Sequence, residues 1–82
     1  MSTETMINRV QKDRFYLTVG ERLCVVREAA GLTQKQLATQ AGLAQSTIYQ
    51  AETGMNCSLL VLARIAEALD ASLDELVPTE AT

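Results

Sequence analysis

"LTQKQLATQAGLAQSTIYQAETG", residues 32–54, decides how this chain reads. It carries Gln34, Gln36, Gln40, Gln45 and Gln50 and six hydroxyl side chains, yet Lys35 and Glu52 are its only charges. Two short helical patterns lie within it. Thr33 precedes Gln36 by three residues, the spacing of a capping box in which each side chain satisfies the other's backbone N–H. Leu37, Ala38 and Ala41 then form an apolar face, and Gly42 ends the helix after barely two turns. A second helix starts near Gln45, turns Ile48 and Ala51 inward and closes at Gly54.

The flanks carry the same helical period. Phe15, Val19, Leu23, Val26 and Ala30 share one face of a helix predicted to begin near Asp13, its N-cap, and to end at Gly31. Ser58 caps a further helix with Leu59, Leu62, Ala66 and Leu69 facing inward. Ser72 and Glu75 form a second capping box for a short last helix containing Leu73 and Leu76, which Pro78 prevents from continuing. Three of the four glycines thus stand just past predicted helix ends. The expectation is an all-α domain over 14–77, with an N-terminal extension at 1–13 and a tail at 78–82.

Two short helices joined by a glycine-containing turn make a helix-turn-helix, whose second helix fits a major groove. Ala38 is small where the two helices cross, and Leu37, Leu43, Ile48 and Ala51 fill the wedge beneath them. Gln45, Ser46, Thr47, Tyr49 and Gln50 are left outward on the second helix. A glutamine amide presents a donor and an acceptor in one plane, matching adenine N6 and N7; serine pairs with several base edges, and a threonine methyl packs on thymine. Neutral side chains at these positions discriminate between bases, whereas charges would bind phosphate indifferently. Thr33, Gln34 and Lys35, at the start of the first helix of the pair, are placed for phosphate beside free backbone N–H groups and a positive helix end. Tyr49 has an alternative reading as a residue packed on the core.

Charge supports that orientation. The net charge of −3 seems unsuited to a polyanion, but residues 1–50 carry six basic against four acidic groups, and residues 51–82 carry Arg64 against six acids. An anionic ligand meets the first half, and the acidic end faces away. Arg9, Lys12 and Arg14 read either as a basic arm reaching DNA or as a frayed end. Apolar residues make up 48% of the chain, enough for one modest core, and aromatics only 4%, so that core is aliphatic. No apolar run is long enough to span a bilayer, and the N-terminus has no secretory h-region, so a soluble cytosolic protein is the default expectation.

Catalysis has little support. There is no histidine, no nucleophile with a base and no metal-ligand set, so no enzyme, cofactor or metal is expected. Cys24 and Cys57 are too few for a disulfide framework and are expected as reduced thiols. Cys24 reads as a small buried hydrophobe, with redox sensing as the alternative; Cys57 falls in a predicted loop.

With these residues in place, the chain resembles the XRE, or Cro/cI-like, helix-turn-helix regulators over about residues 14–77. Residues 32–54 look like the family's core motif, and "GERLCVVREAAG" and "LLVLARIAEALDASLDELV" resemble the helices on either side. The resemblance implies a five-helix, lambda-repressor-like domain that binds double-stranded operator DNA as a homodimer on a pseudo-palindrome. It implies that Gln34 touches phosphate and braces Gln45, that Gln45, Ser46 and Gln50 contact base edges, and that Thr47 and Tyr49 adjoin them. It also implies that Arg27 and Glu52 pair between the first and third helices. The loop "TGMNCS" departs from the pattern in having no basic residue, which leaves Asn56, Ser58 and backbone amides to hold phosphate. A shallow salt dependence follows: with about 4 to 6 ionic contacts per dimer, the log–log slope is expected near about −4 to −5.

Leu60 and Val61, with Leu73, Leu76 and Val77, form an expected self-association patch. The expected function is a transcriptional repressor or autoregulator of a phage, plasmid or restriction-modification module. The alternative is an antitoxin-like protein-interaction module with DNA binding secondary; a second protein partner, a toxin or an RNA polymerase subunit, stays open.

Overall fold

A computed structural model describes residues 3–78, with side chains described from Arg14 onward. Five α-helices follow one another without a strand among the described residues: α1 (Thr3–Ala29), α2 (Gln34–Ala41), α3 (Gln45–Glu52), α4 (Leu59–Ala68) and α5 (Leu73–Leu76). No described helix is long and apolar enough to cross a membrane.

The helix ends are made locally. Thr33 Oγ1 accepts from the Gln36 N–H at 3.0 Å, and the Gln36 side chain accepts from the Thr33 N–H at 2.9 Å, closing the expected box at the start of α2. Ser58 caps α4 by accepting from the Val61 N–H, and the Glu75 carboxylate accepts from the Ser72 N–H ahead of α5. At the other end of α2, Leu43 N–H reaches back to Ala38 O at 2.9 Å and Gly42 N–H to Thr39 O at 3.3 Å. This is the Schellman arrangement, which needs a left-handed residue at its centre, and Gly42 supplies it with φ 69°. The same two bonds close α1 around Gly31, α3 around Gly54 and α4 around Asp70. Asp70 is the one non-glycine among the described residues with positive φ, at 55°.

The core is aliphatic: Val19, Leu23, Leu37, Ala38, Ile48, Ala51, Leu62, Ile65, Ala66 and Leu76 are buried, from all five helices. α3 packs between α1 and α2, α4 lies against α2, and α5 closes the far side against α1 and α4.

Four expectations need correction. α1 begins at Thr3, so Asp13 lies inside it rather than at its start; residues 3–12 contain no proline or glycine to stop the helix earlier. Ala30 is exposed, because the chain has already left the helix there. Leu59 is also exposed, and Ile65, not counted in the inward stripe, is fully buried: four consecutive apolar residues at 59–62 conceal the phase of α4. Leu76 does not join a self-association patch, since it is fully buried and packs in the core. The side chains of Arg9 and Lys12, and the tail at 79–82, lie outside the described residues.

Candidate nucleic-acid interface

The two buried residues of α3, Ile48 and Ala51, are three apart and fix which way the helix faces. Gln45, Ser46, Tyr49 and Gln50 are therefore exposed together, and Thr47 is half-buried. Tyr49 is 57% exposed, which decides against the core reading for its ring. No side chain caps the N-terminus of α3, where Ala44 stands; at the other end Thr53 Oγ1 donates to the carbonyls of Tyr49 and Gln50.

Thr33 and Lys35 are exposed at the start of α2, and Asn56 and Ser58 are exposed in the loop after α3. The Ser58 hydroxyl accepts from the Val61 N–H, which leaves its own O–H as a donor. Gln34 is different. It is half-buried, and its amide nitrogen is donated to Glu52 Oε1 at 3.1 Å rather than toward Gln45.

Glu52 is the anchor of the interface. Its carboxylate receives Arg27 Nε and, at 3.1 Å, Arg27 Nη2, so the guanidinium of α1 grips the last residue of α3 in a two-pronged pair. Arg27 Nη1 donates onward to Leu32 O at 2.7 Å. The side chains are only 11% and 6% exposed. The hydrogen bond to Glu52 raises the Arg27 pKa further above its ordinary value, and partial burial opposes it. Cys24 lies beside Arg27 Nη2; its thiol pKa is raised by desolvation, with help from Glu52 and Glu28, against the lowering effect of Arg27. Desolvation raises Cys57 as well, so neither cysteine is activated as a thiolate.

Two features were not read from the sequence. Gln34 joins the Arg27–Glu52 pair, a tertiary contact that local pattern does not encode. Arg64, the one basic residue of 51–82, extends toward the turn between α2 and α3, within 4.0 Å of where a Cβ on Gly42 would stand. Its position on a helix distant in sequence gave no signal.

The geometry described has relatives. The helix-turn-helix family model matches residues 26–76. Among solved structures, the restriction-modification controller protein C.AhdI from Aeromonas hydrophila is 39% identical, with a TM-score of 0.72. The match covers 74% of this chain and 94% of that one. A comparison with curated proteins finds no match. The outward polar face of α3, the fold that carries it and these likenesses agree: the chain belongs to the helix-turn-helix family, in its XRE branch, and is a DNA-binding transcriptional regulator.

Proposed function

We propose that the protein is a homodimeric controller that reads a pseudo-palindromic operator, each copy laying α3 in one of two successive major grooves about 34 Å apart. The observation that carries this reading is the exposed face of α3, where Gln45, Ser46, Tyr49 and Gln50 stand clear of the core without a charge among them. Thr47 borders the face. Gln45 and Gln50 read base edges through their planar amides, and Ser46 adds a hydroxyl. Thr33, Lys35, Asn56 and Ser58 flank the groove as phosphate contacts.

The likeness to a restriction-modification controller supports a regulatory role set by where the protein sits on a promoter in the cytoplasm. Leu60, which is 62% exposed, is the centre of the dimer surface in this reading, with Val61, Leu73 and Val77 adding only what their half-burial against the core leaves accessible.

Selection from a random-sequence duplex pool tests the proposal, with the Gln45→Ala, Gln50→Ala double variant run alongside at near-physiological salt. Enrichment of a two-fold symmetric site by the wild type alone is expected. No enriched sequence would count against operator reading and turn attention to a protein partner.

A further inference from the structure

We infer that Arg14 of α1 is a phosphate-contacting residue, which supplies at the end of α3 the positive charge that the loop after that helix lacks. This rests on the reading of α3 as the base-contacting element and adds to it a contact from outside the motif.

Residues 53–58, between α3 and α4, include no lysine or arginine, and the exposed Met55 and Asn56 among them are neutral. α1 runs past the start of this loop. A Cβ at Gly54 would stand 2.6 Å from Leu17 Cδ2 and 3.3 Å from Leu17 Cα, so the main chain of α1 itself passes against Gly54. Arg14 precedes Leu17 by three residues, which makes the two neighbours on the helix surface, about 4.5 Å apart along the axis. Arg14 is exposed, and it lies inside α1, so a helix rather than a loose arm carries its charge to this end of α3.

That charge is not spent along the helix. The residues three and four away from Arg14 are Val10, Gln11, Leu17 and Thr18, none of them acidic. The other arginines with described side chains stand elsewhere: Arg27 grips Glu52, Arg22 lines a groove between α1 and α5 with Glu21 and Glu75, and Arg64 extends toward the turn between α2 and α3. With α3 in a major groove, the sugar-phosphate backbone that borders the groove passes the ends of the helix, and Arg14 is the cation set at the Gly54 end. A guanidinium fork matches phosphate oxygens, and a helical mount leaves less backbone to be ordered on binding than a flexible arm would.

The experiment measures binding of wild type, Arg14→Gln, Arg14→Lys and Arg22→Gln to the selected operator and to a scrambled duplex over a range of salt concentrations, with thermal melts to confirm folded chains. Glutamine removes the charge but remains a good helix former, and lysine keeps the charge. Arg22→Gln makes the same change in net charge on the side of α1 turned to α5. Arg14→Gln is expected to weaken both duplexes by one common factor on the order of ten, since phosphate contacts carry no sequence information, and to make the log–log slope shallower by about two, one contact from each copy of the dimer. Arg14→Lys and Arg22→Gln should both keep the wild-type slope. Ethylation interference on the operator should lose, in Arg14→Gln, one phosphate per half-site beside the base pair assigned to Gln50 by Gln50→Ala. An unchanged slope for Arg14→Gln, an equal loss in Arg14→Lys or in Arg22→Gln, or a lost phosphate beside the Gln45 base pair instead would each overturn the inference. A wild type that prefers no duplex would remove the reading of α3 beneath it, while the slopes on the scrambled duplex would still decide whether Arg14 meets phosphate.

Discussion

Gly20 of α1 and Glu52 of α3 meet backbone to backbone: a Cβ at Gly20 would stand 2.6 Å from the Glu52 carbonyl oxygen and 2.7 Å from that of Ala51. Glycine inside a helix ordinarily costs stability relative to alanine, so its presence here reflects the close crossing of the two helices.

Gly20→Ala is therefore expected to destabilise the protein despite the better helix propensity of alanine. The obstacle is main chain and cannot rotate away, so the loss should be about 1–3 kcal/mol, the usual scale of overpacking. Urea denaturation measures it; an unchanged midpoint would mean that α1 and α3 separate at little cost.

Breaking the Arg27–Glu52 pair from one side should cost about 3–5 kcal/mol, because the partner is left charged and largely desolvated. Arg27→Met and Glu52→Gln are the single variants, and Arg27→Met with Glu52→Leu removes both charges. The double variant should recover most of the loss. Equal midpoints for the singles and wild type in thermal melts would show that solvent reaches the pair.

Asp70→Gly should stabilise by about 1 kcal/mol. Two causes act together: an L-residue in the left-handed region is strained, and a carboxylate just past the C-terminus of α4 opposes the helix dipole. The measurement is a rise in thermal midpoint, and a fall would indicate a favourable role for the carboxylate.

Leu60→Asp should abolish dimerisation while leaving the fold intact, since Leu60 is exposed and an acid suits the first turn of α4. Sedimentation velocity should show a dimer for wild type and a monomer for the variant. Identical sedimentation would exclude Leu60 from any interface.

Gln45→Ala should lose about 1–3 kcal/mol on the operator and relax one base position. Lys35→Ala should weaken all duplexes alike and, because each copy of the dimer loses one contact, make the salt slope shallower by about two ions. Titrations at several salt concentrations separate the two, and a uniform loss from both variants would withdraw the base-reading role of Gln45.

What the sequence made legible is what depends on near neighbours. Thr33 with Gln36, Ser58 before α4, Ser72 with Glu75 and the glycines at 31, 42 and 54 are all local signals, and the structure forms the helix boundaries at them. Ile48 and Ala51 set the facing of α3, which was enough to name the exposed Gln45, Ser46, Tyr49 and Gln50, though Thr47, also read as outward, is half-buried. Where the pattern lacked phase or partner, the reading failed. The run Leu59–Leu62 concealed which side of α4 is inward, and Leu76 belongs to the core through contacts with helices far along the chain. Asp13 resembled a cap because aspartate favours caps, but α1 was already under way. The partner of Gln34 and the neighbour of Gly20 are set by how helices cross, which no short window contains.

The self-contained helix ends have an evolutionary consequence. α3 is stopped by backbone bonds around Gly54 and held by Ile48, Ala51 and the Glu52 carboxylate, and none of these uses Gln45, Ser46 or Gln50. Those positions form an interchangeable alphabet on a fixed frame. On the proposed reading of α3 as the base-contacting helix, exchanging a few exposed letters would change the operator without touching the frame beneath them.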